Sequence, residues 1–385
     1  MTRTDEDVKA ASSGGAASGK RPSLPLLTSL RFFAALDVLV YHRAPRLAPG
    51  FLANLAGSGY EAVSFFFILS GFILVYVYDS PAAASRMTSN RQAFWWARFS
   101  RIMPAYILGL LIGAPIFVYS GLVSRISPLD QCLAGLVLLP LLLQAWWPPV
   151  AIVWNGPAWS LSAEAFFYAC FPWLIRTVGA WSARRGVVVA IIFLVVAEAA
   201  RYAAVAMGPP SVFRTNLFLY WPIFHLPYFI LGMTLGRWFL DAHLHRRAGY
   251  GWLFPIGAAA TILLFGCRSW LPWWALSGPV QAIVYAVLIV GAGAARQTGV
   301  LASPICVLLG EASYAMYILH EPLVFWWERF VGGIGENRTW LAFSAFAATV
   351  VIGAVGTYLW IETPLRRWLL RHPPRIANRG SAYAG

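Results

Sequence analysis

The amino-acid sequence predicts an all-α membrane protein, a polytopic bundle of about ten transmembrane helices, from its composition and its long apolar runs. Hydrophobic residues make up 59% of the 385 residues and charged residues 11%, whereas globular proteins carry about 25% charged residues. The mean hydropathy is +0.64. The net charge of +14 could indicate a nucleic-acid partner, but 27 of the 29 basic residues are arginines in short segments between apolar runs, which is typical of membrane topology. We therefore expect the lipid bilayer, and no nucleic acid, as a partner.

Ten apolar runs are long enough to cross the ~30 Å hydrocarbon core of a bilayer. They lie at residues 26–44, 60–78, 102–121, 159–178, 186–206, 216–238, 251–270, 277–295, 304–326 and 340–361. A further run, at residues 132–144, is shorter and leads into the rigid segment AWWPPV. We expect this piece to be re-entrant or interfacial, although its length alone leaves open whether it crosses the membrane.

The distribution of arginine favours ten spans with both termini in the cytoplasm, because cytoplasmic loops carry an excess of basic residues. With ten spans the dense clusters all lie on the cytoplasmic side: Arg86, Arg91, Arg98, Arg184, Arg185, Arg246, Arg247 and the tail from Arg366. An eleventh span would place Arg184 and Arg185 outside. The chain is thus predicted to lie in the inner (plasma) membrane, with a disordered cytoplasmic tail at 1–25, a transmembrane domain at 26–367 and a basic cytoplasmic tail at 368–385.

Arg31 and His42 are ionisable residues within the first apolar run, RFFAALDVLVYH. Their separation of eleven residues equals three helical turns, so both side chains lie on one helix face, roughly 16 Å apart along the axis. Ionisable side chains at bilayer depth are costly and usually face a protein interior or a wet cavity. The spacing predicts that a cation near one membrane surface and an imidazole deep in the bundle share one polar pocket.

Glu164 and His320 are predicted to lie at the depth of His42, in the outer half of the membrane. Pro157 and Ser160 suit the start of a helix at the outer surface, which puts Glu164 in its first turns. A neutral imidazole can deprotonate a hydroxyl at neutral pH, and a carboxylate can fix its tautomer. The three residues therefore form a candidate general-base site. The alternative interpretation is that each histidine only forms a hydrogen bond between helices.

Arg98 and Arg101 lie one turn apart on one helix face at the start of the third apolar run. Two guanidinium groups so placed can clamp a phosphate, because the planar fork binds phosphate oxygens bidentately. The alternative is ordinary anchoring at the cytoplasmic surface of the membrane.

Two other features are interpreted as structural. Ser70 and Gly71, in FFFILSGFIL, are small residues that favour close helix packing. The four cysteines are scattered through apolar stretches without a CxxC motif or a nearby histidine. The sequence therefore predicts neither a disulfide framework nor a metal site.

The candidate residues also match the motifs of a known family, in chain order. The matching segments are Arg31 with His42, FFFILSGF at 65–72, RFSRIMPAY at 98–106, WSLSAEAFFYACFP at 159–172, YFILGMTLG at 228–236, SYAMYILHEP at 313–322 and ETPLRR at 362–367. From about Leu27 to Arg367 the chain therefore resembles the acyltransferase 3 family of membrane acyltransferases.

This resemblance implies transfer of an acyl group, usually acetyl, from acetyl-CoA or another acyl-CoA to a hydroxyl of a sugar or related molecule, without a metal. The residues that it implicates form three groups: catalytic or supporting His42, Glu164 and Arg31; donor-binding Arg98 and Arg101; and the further candidates His320, Ser162 and Tyr314. His42 is the residue implied to be essential.

Several alternatives stay open on the sequence alone. His42 can act as a general base or become transiently acylated. The acceptor can be an exopolysaccharide, O-antigen, lipid-linked or macrolide sugar, and the acyl chain length is open. A transporter or flippase of glycans would also place charged residues inside the membrane, although the sequence shows no internal repeat of the kind common in transporters. A structural or sensing membrane protein is the third interpretation.

Overall fold

The computed structural model describes residues 21–79, 91–126, 128–206, 208, 211–244, 248–334 and 339–374. Within these ranges the regular secondary structure is helical. The predicted N-terminal tail is described from Arg21, which donates hydrogen bonds to the carbonyls of Tyr76 and Asp79. Residues 375–385 of the predicted C-terminal tail lie outside the described residues, as do Arg86, Arg246 and Arg247 of the basic clusters.

The helices follow one another along the chain with mostly short connections. They are α1 (Pro25–Arg43), α2 (Phe51–Ala56), α3 (Gly59–Tyr78), α4 (Arg91–Val118), α5 (Leu129–Leu138), α6 (Trp159–Gly179), α7 (Ala183–Ala206), α8 (Val212–Tyr220), α9 (Pro222–Asp241), α10 (Leu253–Gly266), α11 (Trp273–Leu276), α12 (Gly278–Ala294), α13 (Pro304–Phe330), α14 (Trp340–Thr357) and α15 (Thr363–Arg371). A π-helical turn, Tyr358–Glu362, joins α14 to α15.

Each of the ten predicted apolar runs overlaps a helix. Five helical stretches are long and apolar enough to cross a membrane: Gly59–Tyr78, Arg91–Gly121, Ala183–Ala204, Val212–Asp241 and Trp340–Arg371. α1, α6 and α13, with 19, 21 and 27 residues, are of similar length but carry the ionisable residues of the candidate site. α10 and α12 are shorter than predicted, with 14 and 17 residues. The chain is thus a helical membrane protein.

Residues 132–144 form the end of a short helix and a turn. At ten residues, α5 is about 15 Å long, half the thickness of the hydrocarbon core. Leu142 adopts a positive φ of 58°, and two short 3-10 helices follow at Gln144–Trp146 and Pro148–Val150. A single helix of this length does not cross the bilayer, which agrees with the interpretation from the sequence.

Glycines let α3 and α9 touch along their backbones. A Cβ atom on Gly71 would lie 2.2 Å from the carbonyl oxygen of Phe229, and one on Gly232 would lie 2.0 Å from that of Ile68. Small residues at such crossings allow the close van der Waals packing that holds membrane helices together. Gly71 therefore has the packing role predicted for it.

Replacing Gly232 by alanine is expected to separate α3 from α9 and to lower the melting temperature of the purified protein by several degrees. The methyl group meets backbone that cannot rotate away, and overpacking of this kind costs about 1–3 kcal/mol or more. The matched control is Gly353→Ala, because Gly353 is also inside an apolar helix but has open space around its Cβ position. Equal melting temperatures for the two variants in detergent would contradict the role given to this crossing.

The crossing of α1 with α13 and the return of α15 onto α4 bring the charged residues together. A Cβ atom on Gly310 of α13 would lie 2.0 Å from the carbonyl oxygen of Thr28 of α1. Arg31 follows Thr28 by one turn, and Glu311 directly follows Gly310, so both charged residues lie close to this contact. α15 packs beside the first turns of α4, which brings the end of the described chain next to Arg101.

Candidate active site

A cavity of about 360 Å³ lies within the bundle, between α1, α3, α4, α6, α13 and α15. Apolar and aromatic side chains form much of its wall. Its charged lining residues are Arg31, Arg98, Arg101, Arg366, Glu164 and Glu311. All three arginines singled out from the sequence therefore line one cavity, and Arg366 joins them from α15.

Arg98 is held by aromatic rings rather than by acids. Its guanidinium carbon lies 5.8 Å from the ring centroids of Tyr78 and Phe94 and 5.9 Å from that of Tyr168. Its Nη2 atom is 3.4 Å from the Tyr78 hydroxyl oxygen. Within the described residues no carboxylate lies at ion-pair distance from Arg98. Its positive charge is therefore available to an anion in the cavity.

Arg101 has carboxylates on two sides. Its Nη1 atom lies 3.6 Å from Oε2 of Glu311 and 3.5 Å from Oε1 of Glu362. The Glu362 side chain is 1% exposed, and neither of its carboxylate oxygens has a hydrogen-bond partner among the described residues. One guanidinium therefore faces two carboxylates that balance its charge, whereas Arg98, its partner in the predicted phosphate clamp, has none at ion-pair distance within the described residues.

Arg31 lies in the cavity without a close acidic partner. No carboxylate in the described part of the chain comes within ion-pair distance of its guanidinium. Glu164, Glu311 and Glu362 act on the Arg31 charge at longer range. Arg31 is thus a second cation whose charge is not neutralised by direct contact.

Glu164 lies in the same cavity and accepts two hydrogen bonds. Ser70 Oγ donates to Oε1 of Glu164 at 3.1 Å, and the Tyr168 hydroxyl donates to the same oxygen. The hydroxyls of Ser70 and Tyr168 thus hold the Glu164 carboxylate, and its role in orienting His42 stays a prediction. α6 begins inside the bundle, where the Tyr317 hydroxyl donates to the Pro157 carbonyl at 3.1 Å, so Glu164 lies roughly 10 Å further along the helix.

His42 and His320 meet at the other end of α1. Nε2 of His320 is 3.4 Å from Nδ1 of His42, and the ring centroids are 5.3 Å apart. His42 Nδ1 lies 2.9 Å from the Val38 carbonyl oxygen, and His320 Nδ1 lies 2.8 Å from that of Tyr317. Because carbonyl oxygens only accept, each Nδ1 carries the proton when its ring is neutral. The lone pair of His42 is therefore on Nε2.

Arg31 lines the cavity, whereas neither His42 nor His320 is among the residues that line it. Tyr317 and Phe66 line the cavity, and their ring centroids are 6.1 Å apart. The His320 ring lies on α13 beyond Tyr317, at 6.2 Å between centroids. Periodicity places Arg31 and His42 on one helix face but does not show what other helices insert between them.

An ion pair that the sequence interpretation missed lies beside the histidines. Arg43 donates to Oε1 of Glu321, and these residues directly follow His42 and His320 in the chain. The dipeptide His-Arg at the end of α1 and the dipeptide His-Glu within α13 were the available signal. This ion pair ties the end of α1 to α13 next to the candidate base.

Ser162 and Tyr314 have mainly structural contacts. Ser162 Oγ donates to the Leu142 carbonyl at 2.6 Å and accepts from the backbone N–H of Ala145 at 3.4 Å, so it holds the turn after α5. The Tyr314 hydroxyl donates to the Ile102 carbonyl at 2.7 Å, while its side chain lines the cavity. Ser162 is therefore removed from the candidate catalytic group.

The fold and the cavity define the class: a helical membrane protein with an arginine-lined chamber inside its bundle. Residues 26–359 match a family model described as an acyltransferase domain, and the chain belongs to this acyltransferase 3 family. It is 30% identical over 380 residues to the acyltransferase MdmB of Streptomyces mycarofaciens, covering 91% of this chain and 94% of MdmB. It is 27% identical over 338 residues to the exopolysaccharide production protein ExoZ of Rhizobium meliloti, covering 86% of this chain and 95% of ExoZ. No solved structure matches the chain.

Family membership shows that the protein is an acyl-transferring enzyme of the membrane. It favours this interpretation over the transporter, flippase and sensor alternatives. The resemblance drawn from the seven short motifs is confirmed, because the family match covers six of them completely and the last lies just beyond it.

Proposed function

We propose that the protein transfers an acetyl or other short acyl group from acyl-CoA to a hydroxyl of a carbohydrate or glycosylated acceptor, in the inner (plasma) membrane. The observation that carries this proposal is the cavity, because it holds arginines without acidic partners inside a membrane bundle. The name of ExoZ, an exopolysaccharide production protein, supports a carbohydrate acceptor.

Acyl-CoA suits the cavity by charge and by shape. The lining arginines contribute four positive charges, and Glu164, Glu311 and Glu362 contribute three negative ones, which leaves one positive charge in excess. A diphosphate or phosphate group satisfies guanidinium groups through charge-assisted hydrogen bonds. In this proposal Arg98 binds the donor, while Arg101 stays with its two carboxylates. The slender pantetheine arm then extends along the apolar part of the cavity towards the histidines.

The reaction proposed for His42 is general-base catalysis. Nε2 of His42 takes the proton of the acceptor hydroxyl, and the hydroxyl oxygen attacks the thioester carbonyl. The carbon–sulfur bond breaks, and the coenzyme A thiolate leaves with the proton returned by the imidazolium. The Val38 carbonyl accepts from His42 Nδ1 at 2.9 Å and so holds the reactive tautomer, while His320 Nε2 lies 3.4 Å from the same nitrogen. The alternative route, attack by His42 Nε2 itself, passes through an acyl-histidine.

In this proposal the thioester passes Tyr317 and Phe66, which line the cavity, before it reaches His42. The Tyr317 hydroxyl is fixed, since it lies 2.9 Å from Ser160 Oγ and donates to Pro157. Phe66 has no polar anchor and is only half-buried. Rotation of the Phe66 ring therefore costs less free energy than movement of the Tyr317 side chain. We propose that this rotation opens the passage between the cavity and the histidine pair.

The test is an incubation of the purified protein in nanodiscs with radiolabelled acetyl-CoA and glycans extracted from the producing cells. The expected result is label on a glycan together with release of free coenzyme A. Label that stays on the protein when glycan is omitted would indicate the acyl-histidine route. If coenzyme A is not released and neither glycan nor protein is labelled, the proposed donor is wrong.

A further inference from the structure

The π-helical turn before α15 fixes which side chains of the last described helix face the cavity. A π turn inserts an extra residue and is frequent at functional sites. Its last residue, Glu362, is buried against Arg101 at 3.5 Å. Arg366 follows Glu362 by four residues and therefore lies on the same helix face, one turn further on. Arg366 lines the cavity, whereas its neighbour Arg367 is exposed.

The four arginines of the cavity divide into two kinds. Arg101 has two carboxylates at 3.5 and 3.6 Å. Within the described chain, Arg31, Arg98 and Arg366 have no carboxylate at ion-pair distance. The charges of Arg101 and Arg98 act on Arg366, and so, with the opposite sign, do the charges of Glu362 and Glu311. Arg98 and Arg366 have like charges in one partly desolvated cavity and repel each other, so an anion that binds between these two residues stabilises the arrangement.

Arg101 cannot move away from Glu311 and Glu362 without a large cost in free energy. Glu362 is 1% exposed, and among the described residues Arg101 is the cation at ion-pair distance from it. Moving Arg101 towards a ligand would leave a buried carboxylate without its counter-ion, which is strongly unfavourable. Arg101 therefore fixes the position of Glu362, and through it the register of α15.

We infer that Arg366 is a third phosphate-binding residue for the acyl donor, together with Arg31 and Arg98, and that Arg101 is a positioning residue that holds α15 with Arg366 towards the cavity. This inference rests on the proposed use of acyl-CoA. It assigns the end of the chain, the segment ETPLRR, a direct part in donor binding.

The experiment compares Arg366→Gln with Arg367→Gln in the full-length protein. Arg366→Gln is expected to raise the apparent KM for acetyl-CoA and the Kd for coenzyme A about tenfold or more, the order of one charge-assisted contact, and to change kcat less than about threefold. Arg367→Gln is expected to leave all three values near those of the wild type, since this exposed neighbour has the same charge. Arg366→Lys is expected to recover part of the affinity, because it restores the charge.

The outcomes separate this inference from the proposed function. Binding of coenzyme A by the wild type with an unchanged Kd in Arg366→Gln would overturn the inference and leave the proposed function intact. An equal loss in Arg366→Gln and Arg367→Gln would also overturn it, because the effect would then be that of net surface charge. Failure of the wild type to bind coenzyme A or to use acetyl-CoA would overturn both. A melting curve of Arg366→Gln that overlays the wild type excludes misfolding as the cause.

Discussion

Replacing His42 by alanine is expected to lower the rate of acyl transfer by about 10²–10⁴-fold, which is the contribution of a positioned general base. Nδ1 of His42 lies 2.9 Å from the Val38 carbonyl oxygen, so Nδ1 carries the proton and Nε2 is the base. Alanine has no group that can accept the proton in place of Nε2. The measurement is the steady-state rate of labelled acetyl transfer at saturating acetyl-CoA.

The control for this variant is His372→Ala. His372 is an exposed histidine after α15 whose Nδ1 lies 2.9 Å from a carbonyl oxygen of its own helix, that of Trp368. It is expected to transfer acetyl at the wild-type rate. The His42→Ala protein is expected to melt within a few degrees of the wild type, because the ring is only half-buried. Wild-type activity in His42→Ala would remove this residue from the mechanism.

The positions of the helices could be predicted because an apolar run of membrane length satisfies its backbone hydrogen bonds in a bilayer by forming a helix. Helix ends were less predictable, since they depend on local contacts that hydropathy does not record. The run predicted at 251–270 forms a helix only to Gly266. After it the chain turns, and Arg268 donates to the Gly57 carbonyl and lies 3.4 Å from Oε1 of Glu61. That contact to another helix draws the chain out of the α-helical path.

The candidate site was predictable in part, because periodicity identifies residues on one face of one helix. It placed Arg31 and Arg98 correctly towards the interior. It could not place Glu164, since the depth of a residue in one helix relative to another depends on where each helix starts in space. It also could not reveal the contact of Arg101 with Glu362, because these two residues are distant in the chain and only the packing of α15 on α4 brings them together.

Replacing Arg101 by alanine is expected to have the largest effect on stability, a loss of about 3–5 kcal/mol, which is the usual cost of removing one partner of a buried ion pair. The carboxylate of Glu362 is 1% exposed and would lose its counter-ion. The measurement is the thermal melting of purified protein in detergent. The matched control is Arg98→Ala, three residues earlier on the same helix. Within the described residues no carboxylate lies at ion-pair distance from the Arg98 guanidinium, so this substitution leaves no carboxylate without a counter-ion.

The double variant Arg101→Ala with Glu362→Gln shows whether the lost stability comes from the uncompensated carboxylate. A neutral glutamine needs no counter-ion, so Glu362→Gln is expected to reverse much of the decrease in melting temperature that Arg101→Ala causes. Double-mutant cycles detect coupling of this kind between contacting residues. Simple addition of the two effects would mean that Arg101 stabilises the bundle by packing alone. The same result would also remove the argument that this arginine holds α15, and with it Arg366, towards the cavity.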